Sequence, residues 1–372
     1  MRPLSNFSGI FYFDTALAEK DSNRSNAPDG YSFENGYLFA HSPSVEITPE
    51  YVILAAISKK NLTFLQNHFA DANGSEATLI RRAFTTWGDR LPDHLSGEFI
   101  VILWERQTKE LRVIRDRFGC TPFYYTFTPD AFLSFSDRIG AIPHFKKTRE
   151  SIDPVKIKHY LTPPSSYQSF DDRTFYHQVK SALPGHIMYT QGDRITHRVY
   201  WKIDPAQYRH KPDSEYVERF RDLFFASVEE RSQGYRHIGT HLSGGIDSSS
   251  IACVTNHFHA SLSTFHINPG LPSTDESFFV DSVVKKIHSR HFMVSPQPNI
   301  YEAMCRLTAL FDRPEHFVTP STFHFAAAEQ AKAIGCDLIL TGHDGDSVVD
   351  NGNGLLETYR KTKNWAGLRW AL

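Results

Sequence analysis

Seven consecutive residues, Ser243-Gly244-Gly245-Ile246-Asp247-Ser248-Ser249, have the composition of an anion cradle. Glycines let a ligand approach the backbone, the serine hydroxyls add donors, and Asp247 offers the hard oxygen that Mg²⁺ takes alongside phosphate oxygens. The apolar run 238–242, ending at Leu242, leads straight into them, and a helix-forming stretch follows. That order places the segment at the carboxyl end of a strand and the start of a helix, where free N–H groups and the helix dipole point at one anion. A second segment, Thr341-Gly342-His343-Asp344-Gly345-Asp346-Ser347, leaves another apolar run and carries a further acid, Asp346, and an imidazole, His343. If both runs are strands of one parallel sheet, the two segments open on the same edge and face a single polyphosphate.

The elements that must position these residues are legible in the second half of the chain. Short apolar runs at 238–242, 263–267 and 336–341 alternate with helical patterns beginning at Asp247, near 278–287 and over 321–334. Such alternation predicts a parallel sheet with helical crossovers. An amphipathic helix carrying Val217, Phe220, Phe224 and Val228 should precede it. The polar, proline-containing stretch 202–213 reads as a boundary, giving domains 1–205 and 206–372. In the front half, strand-like runs at 98–104, 111–115, 123–127 and 132–135 follow one another as an antiparallel meander, with helices expected at 61–69 and 76–87. Both alternate sets of EFIVILW are apolar, so that strand should be covered on both faces.

At 372 residues the chain is long enough for two cores, and 40% hydrophobic against 22% charged residues is a globular balance. Forty basic residues against 42 acidic ones leave no general positive field, which argues against nucleic acid and for a small-molecule or peptide carboxylate substrate. No apolar run is long enough to cross a bilayer and none resembles a signal peptide, so the expectation is a cytoplasmic protein without membrane contact. Cys120, Cys253, Cys305 and Cys336 sit in apolar contexts without metal-type spacing and read as reduced packing residues. No HExxH occurs, and His257 with His259 has no partner cluster, so zinc is not expected.

The pattern SGGxDSS is that of the PP-loop ATP pyrophosphatases rather than the Walker loop. With the second loop, which is similar to the SGxGxDE pyrophosphate loop, the chain resembles the asparagine synthetase family. That resemblance implies ATP and Mg²⁺, with Leu242, Ser243, Gly244, Gly245, Asp247, Ser248 and Ser249 on the nucleotide. It also implies adenine against the backbone of Phe265 and His266, pyrophosphate at Thr341 and Gly342, and Asp247 and Asp346 as metal ligands. Departures from the pattern stand at Ser347, where the family has an acid, and at Asp344, where it has glycine. His343 takes the position held by Glu in asparagine synthetases and Tyr in β-lactam synthetases. It is read either as the base that deprotonates an attacking amine or as a loop histidine that only hydrogen-bonds. Asp275-Glu276 matches an acidic pair of the family or simply complements a helix dipole. Asp312-Arg313-Pro314 matches a segment beside the acceptor site or is an ordinary turn.

The front half resembles the glutaminase domain of the same family at Ser8-Gly9-Ile10-Phe11, Leu95-Ser96-Gly97-Glu98-Phe99, Arg115-Asp116-Arg117-Phe118-Gly119 and Leu183-Pro184-Gly185-His186. The implied architecture is an Ntn-hydrolase-like αββα sandwich followed by a PP-loop α/β domain shortened at its C-terminus. Ser8 stands where such glutaminases carry an N-terminal Cys nucleophile, and the NGE that holds glutamine is missing, its nearest counterpart being 57–61. Removal of residues 1–7 would be needed to free an amine at Ser8. Three functions remain open: carboxylate adenylation followed by attack of an amine of the same molecule, as in lasso-peptide cyclases and β-lactam synthetases; glutamine-dependent asparagine synthesis; and non-catalytic nucleotide or partner binding. The last follows from the 26 residues after Asp346, where relatives continue into a helical lobe. An edge without that lobe suggests a companion chain or a homodimer.

Overall fold

The structure, a computed structural model, describes residues 7–21, 30–144, 151–162, 171–209, 211–268, 270, 275–314, 318–349, 353–366 and 369. The side chain of Ser347 lies outside the described residues. Contacts divide the chain into two compact units, 2–209 with 307–316, and 210–306 with 317–372.

The first unit contains strands β1 (Phe7–Tyr12), β2 (Gly30–Phe33), β3 (Gly36–Ala40), β4 (Ser44–Ile47), β5 (Tyr51–Ile57), β6 (Phe99–Glu105), β7 (Glu110–Arg115), β8 (Tyr124–Thr128), β9 (Phe132–Ser136), β10 (Lys180–Ser181), β11 (His186–Gln191) and β12 (Arg194–Val199). They form two antiparallel sheets, ordered β10-β8-β9-β1-β3-β2 and β12-β11-β7-β6-β5-β4. Their facing sides share one core, in which Phe11 stacks on Trp104 (4.9 Å between centroids) and on Phe135 (5.6 Å). Each such aromatic contributes burial plus about 0.5–1.5 kcal/mol of ring-pair energy. On the outer face of the second sheet lie α2 (Lys59–His68) and α3 (Glu76–Trp87). Helix α3 starts where Ser75 accepts from the Thr78 amide, and it buries Ala77, Leu79, Ile80 and Ala83 at near-helical spacing. On the other sheet α1 (Thr15–Lys20) sets Ala18 against Ile10, Tyr12 and Tyr37. This is the expected αββα sandwich.

Strand β6 is buried on both faces, as its sequence requires. The four consecutive strands β6 to β9 are not one meander, however: β6–β7 and β8–β9 pair in different sheets. The change of sheet is made at Arg115-Asp116. The Asp116 carboxylate accepts from the amides of Phe118, Cys120 and Thr121, while the Arg115 guanidinium donates to the carbonyls of Thr121 (2.8 Å) and Gly119 (2.7 Å). Gly119 (φ +68°) leaves no room for a Cβ, which would lie 2.8 Å from Arg115 Cζ. A crossover that consumes this many polar groups is invisible to strand periodicity. Further on, α4 (Pro154–Leu161) is capped by Asp153.

The second unit has the parallel strands β13 (Ile238–His241), β14 (Leu262–Ile267), β15 (Arg290–Val294) and β16 (Leu338–Leu340), ordered β15-β14-β13-β16. Its helices are α5 (Asp213–Ser232), α6 (Ile246–Phe258), α7 (Ser277–Ile287), α8 (Ile300–Phe311, whose residues from Leu307 on belong to the first unit), α9 (Val318–Ala333), α10 (Gly345–Val349) and α11 (Asn353–Lys361). One face of the sheet packs on α6 and α7 through Leu242, Ala252, Leu262, Val280 and Ile287. The other packs on α9 through Phe265, Ile267, Ala327 and Ala331. This is the doubly wound arrangement expected of the alternation.

Two further expectations require correction. The stripe on α5 is buried only at Val228, while Val217 and Phe220 are 67% and 51% exposed. Helix contact is made instead by Phe225, whose ring meets His257 and Phe258. Cys120 and Cys305 are exposed rather than packed, because one lies in the crossover loop and the other on the outer side of α8.

Candidate active site

Strand β13 ends at His241, and the backbone of Leu242 is tied to β14 by its amide on the Phe265 carbonyl (2.9 Å). The carbonyl of Leu242 accepts from His266 Nδ1 at 3.0 Å, which fixes the proton on that nitrogen. Phe265 and His266 are both buried, and Phe265 packs into the core beneath the sheet. The loop then turns at Gly244 (φ +96°), where a Cβ would meet Glu276 Cβ and the Glu276 carbonyl at 3.2 Å. Ser243 Oγ and Ser248 Oγ are 2.9 Å apart, the Ser243 amide donates to Ser248 Oγ, and Ser248 Oγ reaches the Gly245 carbonyl. The Ser248 hydroxyl is therefore spent on holding the loop. Ser249 Oγ is buried and has no hydrogen-bond partner.

Helix α6 begins with Gly245 as its N-cap and no side chain closing its first turn. Its N-terminal amides thus remain available to an anion, which is the physical requirement for a phosphate cradle.

The second loop follows β16, the parallel neighbour of β13 on the side away from β14. Two glycines let it lie directly on the first. A Cβ on Gly342 would fall 2.6 Å from the Ser248 amide nitrogen and 2.8 Å from the Asp247 carbonyl carbon. A Cβ on Gly345 would fall 2.3 Å from Asp247 Cγ. The carboxylate of Asp247 therefore rests on the backbone immediately before Asp346, at the first turn of α10. Thr341 and Asp346 are exposed and Gly342 is half-buried at this junction. The residues proposed for nucleotide and metal come to one sheet edge; Phe265 and His266 reach it through their backbone, level with His241 and Leu242 on neighbouring β14, while their side chains are buried.

His343 is half exposed, with Nε2 3.7 Å from Asp344 Oδ2 and its ring perpendicular to that of His324 on α9, 5.6 Å between centroids. Asp344 adopts a left-handed backbone (φ +62°), which explains the glycine expected there. His241 is pushed down to about 4 by burial first, then by the neighbouring His324, His266 and His343. Neither His241 nor His324 was singled out by sequence reading; both lie within apolar runs, and only the sheet brings them together.

Asp275 caps the Ser277 amide, while Glu276 is the N-cap of α7 and packs on Gly244. Asp312 accepts from the Gly140 amide at 2.8 Å and has φ +55°, the geometry of a turn.

In the first unit, Ser8 is the second residue of β1, half-buried and paired with Ser136 and Phe39. Phe7 before it is buried and meets the rings of Phe123 and Phe135. Its carbonyl accepts from the Asp137 amide and from Ser136 Oγ. Cutting before Ser8 would remove a core phenylalanine, a loss of about 3–5 kcal/mol by analogy with Phe-to-Ala truncation. At 57–61, Asn61 is buried and exchanges two hydrogen bonds with Ser96 (2.7 and 2.9 Å). It braces the fold and offers nothing to a ligand.

Comparison with known proteins matches residues 57–201 to the family described as glutamine amidotransferase domain and residues 219–371 to that described as asparagine synthase. Asparagine synthetase (glutamine-hydrolyzing) 1 of Bacillus subtilis is 25% identical over 75% of this chain and 43% of its own length. A putative asparagine synthetase (glutamine-hydrolyzing) 2 of Methanocaldococcus jannaschii is 23% identical over 91% of this chain and 66% of its own. Amidase chry2 of Gibberella zeae is 26% identical over 52% and 28%. The chain thus spans less than half the length of the Bacillus relative.

Proposed function

Since the chain belongs to the asparagine synthetase family, we propose that it forms an amide by adenylating a substrate carboxylate with ATP, releasing pyrophosphate, and letting an amine of the same substrate attack. The observation that carries this reading is the seating of the Asp247 carboxylate on Gly345, one residue from Asp346. It supports reading the two loops as a single site.

The uncapped start of α6 would hold phosphate oxygens, with Gly244 and Gly245 keeping side chains out of their way. Asp247 and Asp346 would hold Mg²⁺, which supplies charge neutralisation on the triphosphate. Among the described residues no group of three or more His, Cys, Asp or Glu forms a metal cage. Two carboxylates with phosphate oxygens and water making up the rest is the donor set that this ion favours. His343, half exposed beside the loop, would accept the proton released as the amine attacks the activated carbonyl.

Ser8 supports the intramolecular amine over ammonia from glutamine. Its nitrogen is in a peptide bond with a core residue, so the free amine that an Ntn nucleophile needs is lacking. Glutamine-dependent asparagine synthesis remains the second reading, favoured by the names of the Bacillus and Methanocaldococcus relatives. The experiment offers ATP, Mg²⁺, aspartate and either glutamine or ammonium, and measures asparagine and exchange of labelled pyrophosphate into ATP. Carboxylate-dependent exchange without glutamine-dependent asparagine is expected. Efficient glutamine-dependent asparagine would overturn the intramolecular reading, and no exchange with any carboxylate would overturn adenylation.

A further inference from the structure

One buried atom at the edge of the second sheet finds no partner inside the protein. His266 is 4% exposed, its Nδ1 donates to the Leu242 carbonyl at 3.0 Å, and its Nε2 makes no hydrogen bond. A carbonyl can only accept, so the bond to Leu242 uses the proton of the neutral ring and leaves Nε2 with a lone pair. A buried acceptor without a donor forfeits its hydration and gains nothing for it, which is why such groups are rare in native proteins. We infer that His266 reads the nucleoside of the bound nucleotide, its Nε2 accepting one hydrogen bond from a donor there, either the amino group of the base or a ribose hydroxyl. This inference rests on the nucleotide-binding part of the reading above.

Placement carries the argument. Side chains alternate along β14, and Leu262 packs toward α6 and α7, so His266 lies on that same face of the sheet. It is the face on which α6 begins with its uncapped amides. The ring is fastened to the residue that enters the phosphate loop. It also lies within electrostatic reach of Asp275, exposed where α7 opens, and the next residue, Glu276, packs on Gly244.

The strand order β15-β14-β13-β16 then sorts the parts of the ligand. Asp247 and the second loop meet on the β16 side of β13, which assigns the phosphates and their metal to that side. His343, the group assigned to the attacking amine, belongs to the same loop. The remaining direction along the carboxyl edge leads over β14, where His266 stands, and the part of the nucleotide left to occupy it is the nucleoside. The consequence is selectivity. An amino group or hydroxyl satisfies the lone pair, whereas a base that turns a carbonyl toward it sets one acceptor against another.

The test is calorimetry with Mg²⁺ at about pH 8, where an ordinary imidazole is uncharged. The ligands are a non-hydrolysable ATP analogue, its counterpart lacking the base amino group, the two counterparts each lacking one ribose hydroxyl, and tripolyphosphate, which has no nucleoside. Wild type is compared with His266→Asn, whose amide N–H replaces the donor to Leu242 and whose side chain ends short of Nε2; urea unfolding confirms that the variant is folded, and the wild-type series stands without it. Wild type should lose about tenfold in affinity when one of the three donors is deleted, and His266→Asn should bind that counterpart and the parent alike. Which deletion is felt distinguishes the amino group from a hydroxyl. Both proteins should bind tripolyphosphate equally. Wild-type affinities insensitive to all three deletions would overturn the inference, as would a penalty that persists unchanged in His266→Asn. Equal losses of tripolyphosphate and nucleotide in the variant would also overturn it, because His266 would then only brace Leu242. Failure of wild type to bind the ATP analogue at all would count against the ligase reading, whereas normal binding without discrimination would count against His266 alone.

Discussion

Replacing Gly345 with alanine places a methyl group 2.3 Å from Asp247 Cγ and 2.5 and 2.7 Å from its two carboxylate oxygens. Ordinary carbon contacts begin near 3.5 Å, so the carboxyl group must retreat by about 1 Å. The conflict is with the end of a side chain and not with backbone, and α10 gains a better helix former at its first turn, a benefit of about 1 kcal/mol. Gly345→Ala should therefore leave the unfolding midpoint in urea close to wild type. The cost falls on the site. A displacement of that size at a metal ligand is expected to weaken Mg²⁺-dependent binding of a non-hydrolysable ATP analogue at least tenfold and to slow adenylation by about a hundredfold. Calorimetry gives the first number and pyrophosphate exchange the second. Wild-type affinity in a folded Gly345→Ala protein would refute the idea that Asp247 and the second loop share a ligand.

Four further outcomes can be checked. Gly342→Ala meets backbone instead, 2.6 Å from the Ser248 amide, and should destabilise the chain by about 1–3 kcal/mol as well as weaken binding, measured by urea unfolding. Asn61→Leu should cost about 1–3 kcal/mol, because the Ser96 amide and carbonyl both lose a partner; an unchanged midpoint would contradict the bracing role. His241 has a folded pKa near 4 against about 6.5 unfolded, so its neutral state stabilises above pH 6.5 and that contribution is lost as pH falls toward 4. His241→Gln should flatten that acid-side slope, worth up to about 3 kcal/mol for the shift of roughly 2.5 units. Asp137 runs the other way: burial raises it to about 7, so stability is lost as pH rises through 7, and Asp137→Asn should gain on wild type at pH 8.

Much of the second unit could be read in advance because its signals are local. A buried strand, a glycine-rich turn and a helix follow one another within a few residues at 238–258, and the structure repeats that order. The convergence of Asp247 on Gly345 was an inference from strand direction, which parallel pairing of β13 with β16 satisfies. What sequence could not supply was the commitment of individual polar atoms. Ser248 looks like a donor for phosphate until its hydroxyl is found bridging Ser243 and Gly245, and nothing in the strand pattern shows that the polar groups of Arg115-Asp116 close a crossover. The histidine cluster was equally hidden, since His241 and His324 lie 83 positions apart and meet only because β13 and α9 share a sheet edge. Burial of α5 was overestimated because helical periodicity reports an apolar face and says nothing about what covers it.

The most direct test is a double-mutant cycle on nucleotide affinity, using Asp247→Asn, Asp346→Asn and the double variant, with Mg²⁺ and a non-hydrolysable ATP analogue. If both carboxylates serve one metal-bound triphosphate, the double variant should lose far less affinity than the two single losses multiplied together, a coupling of about 1 kcal/mol or more. Independent, multiplicative losses, or affinities untouched by either substitution, would contradict the account.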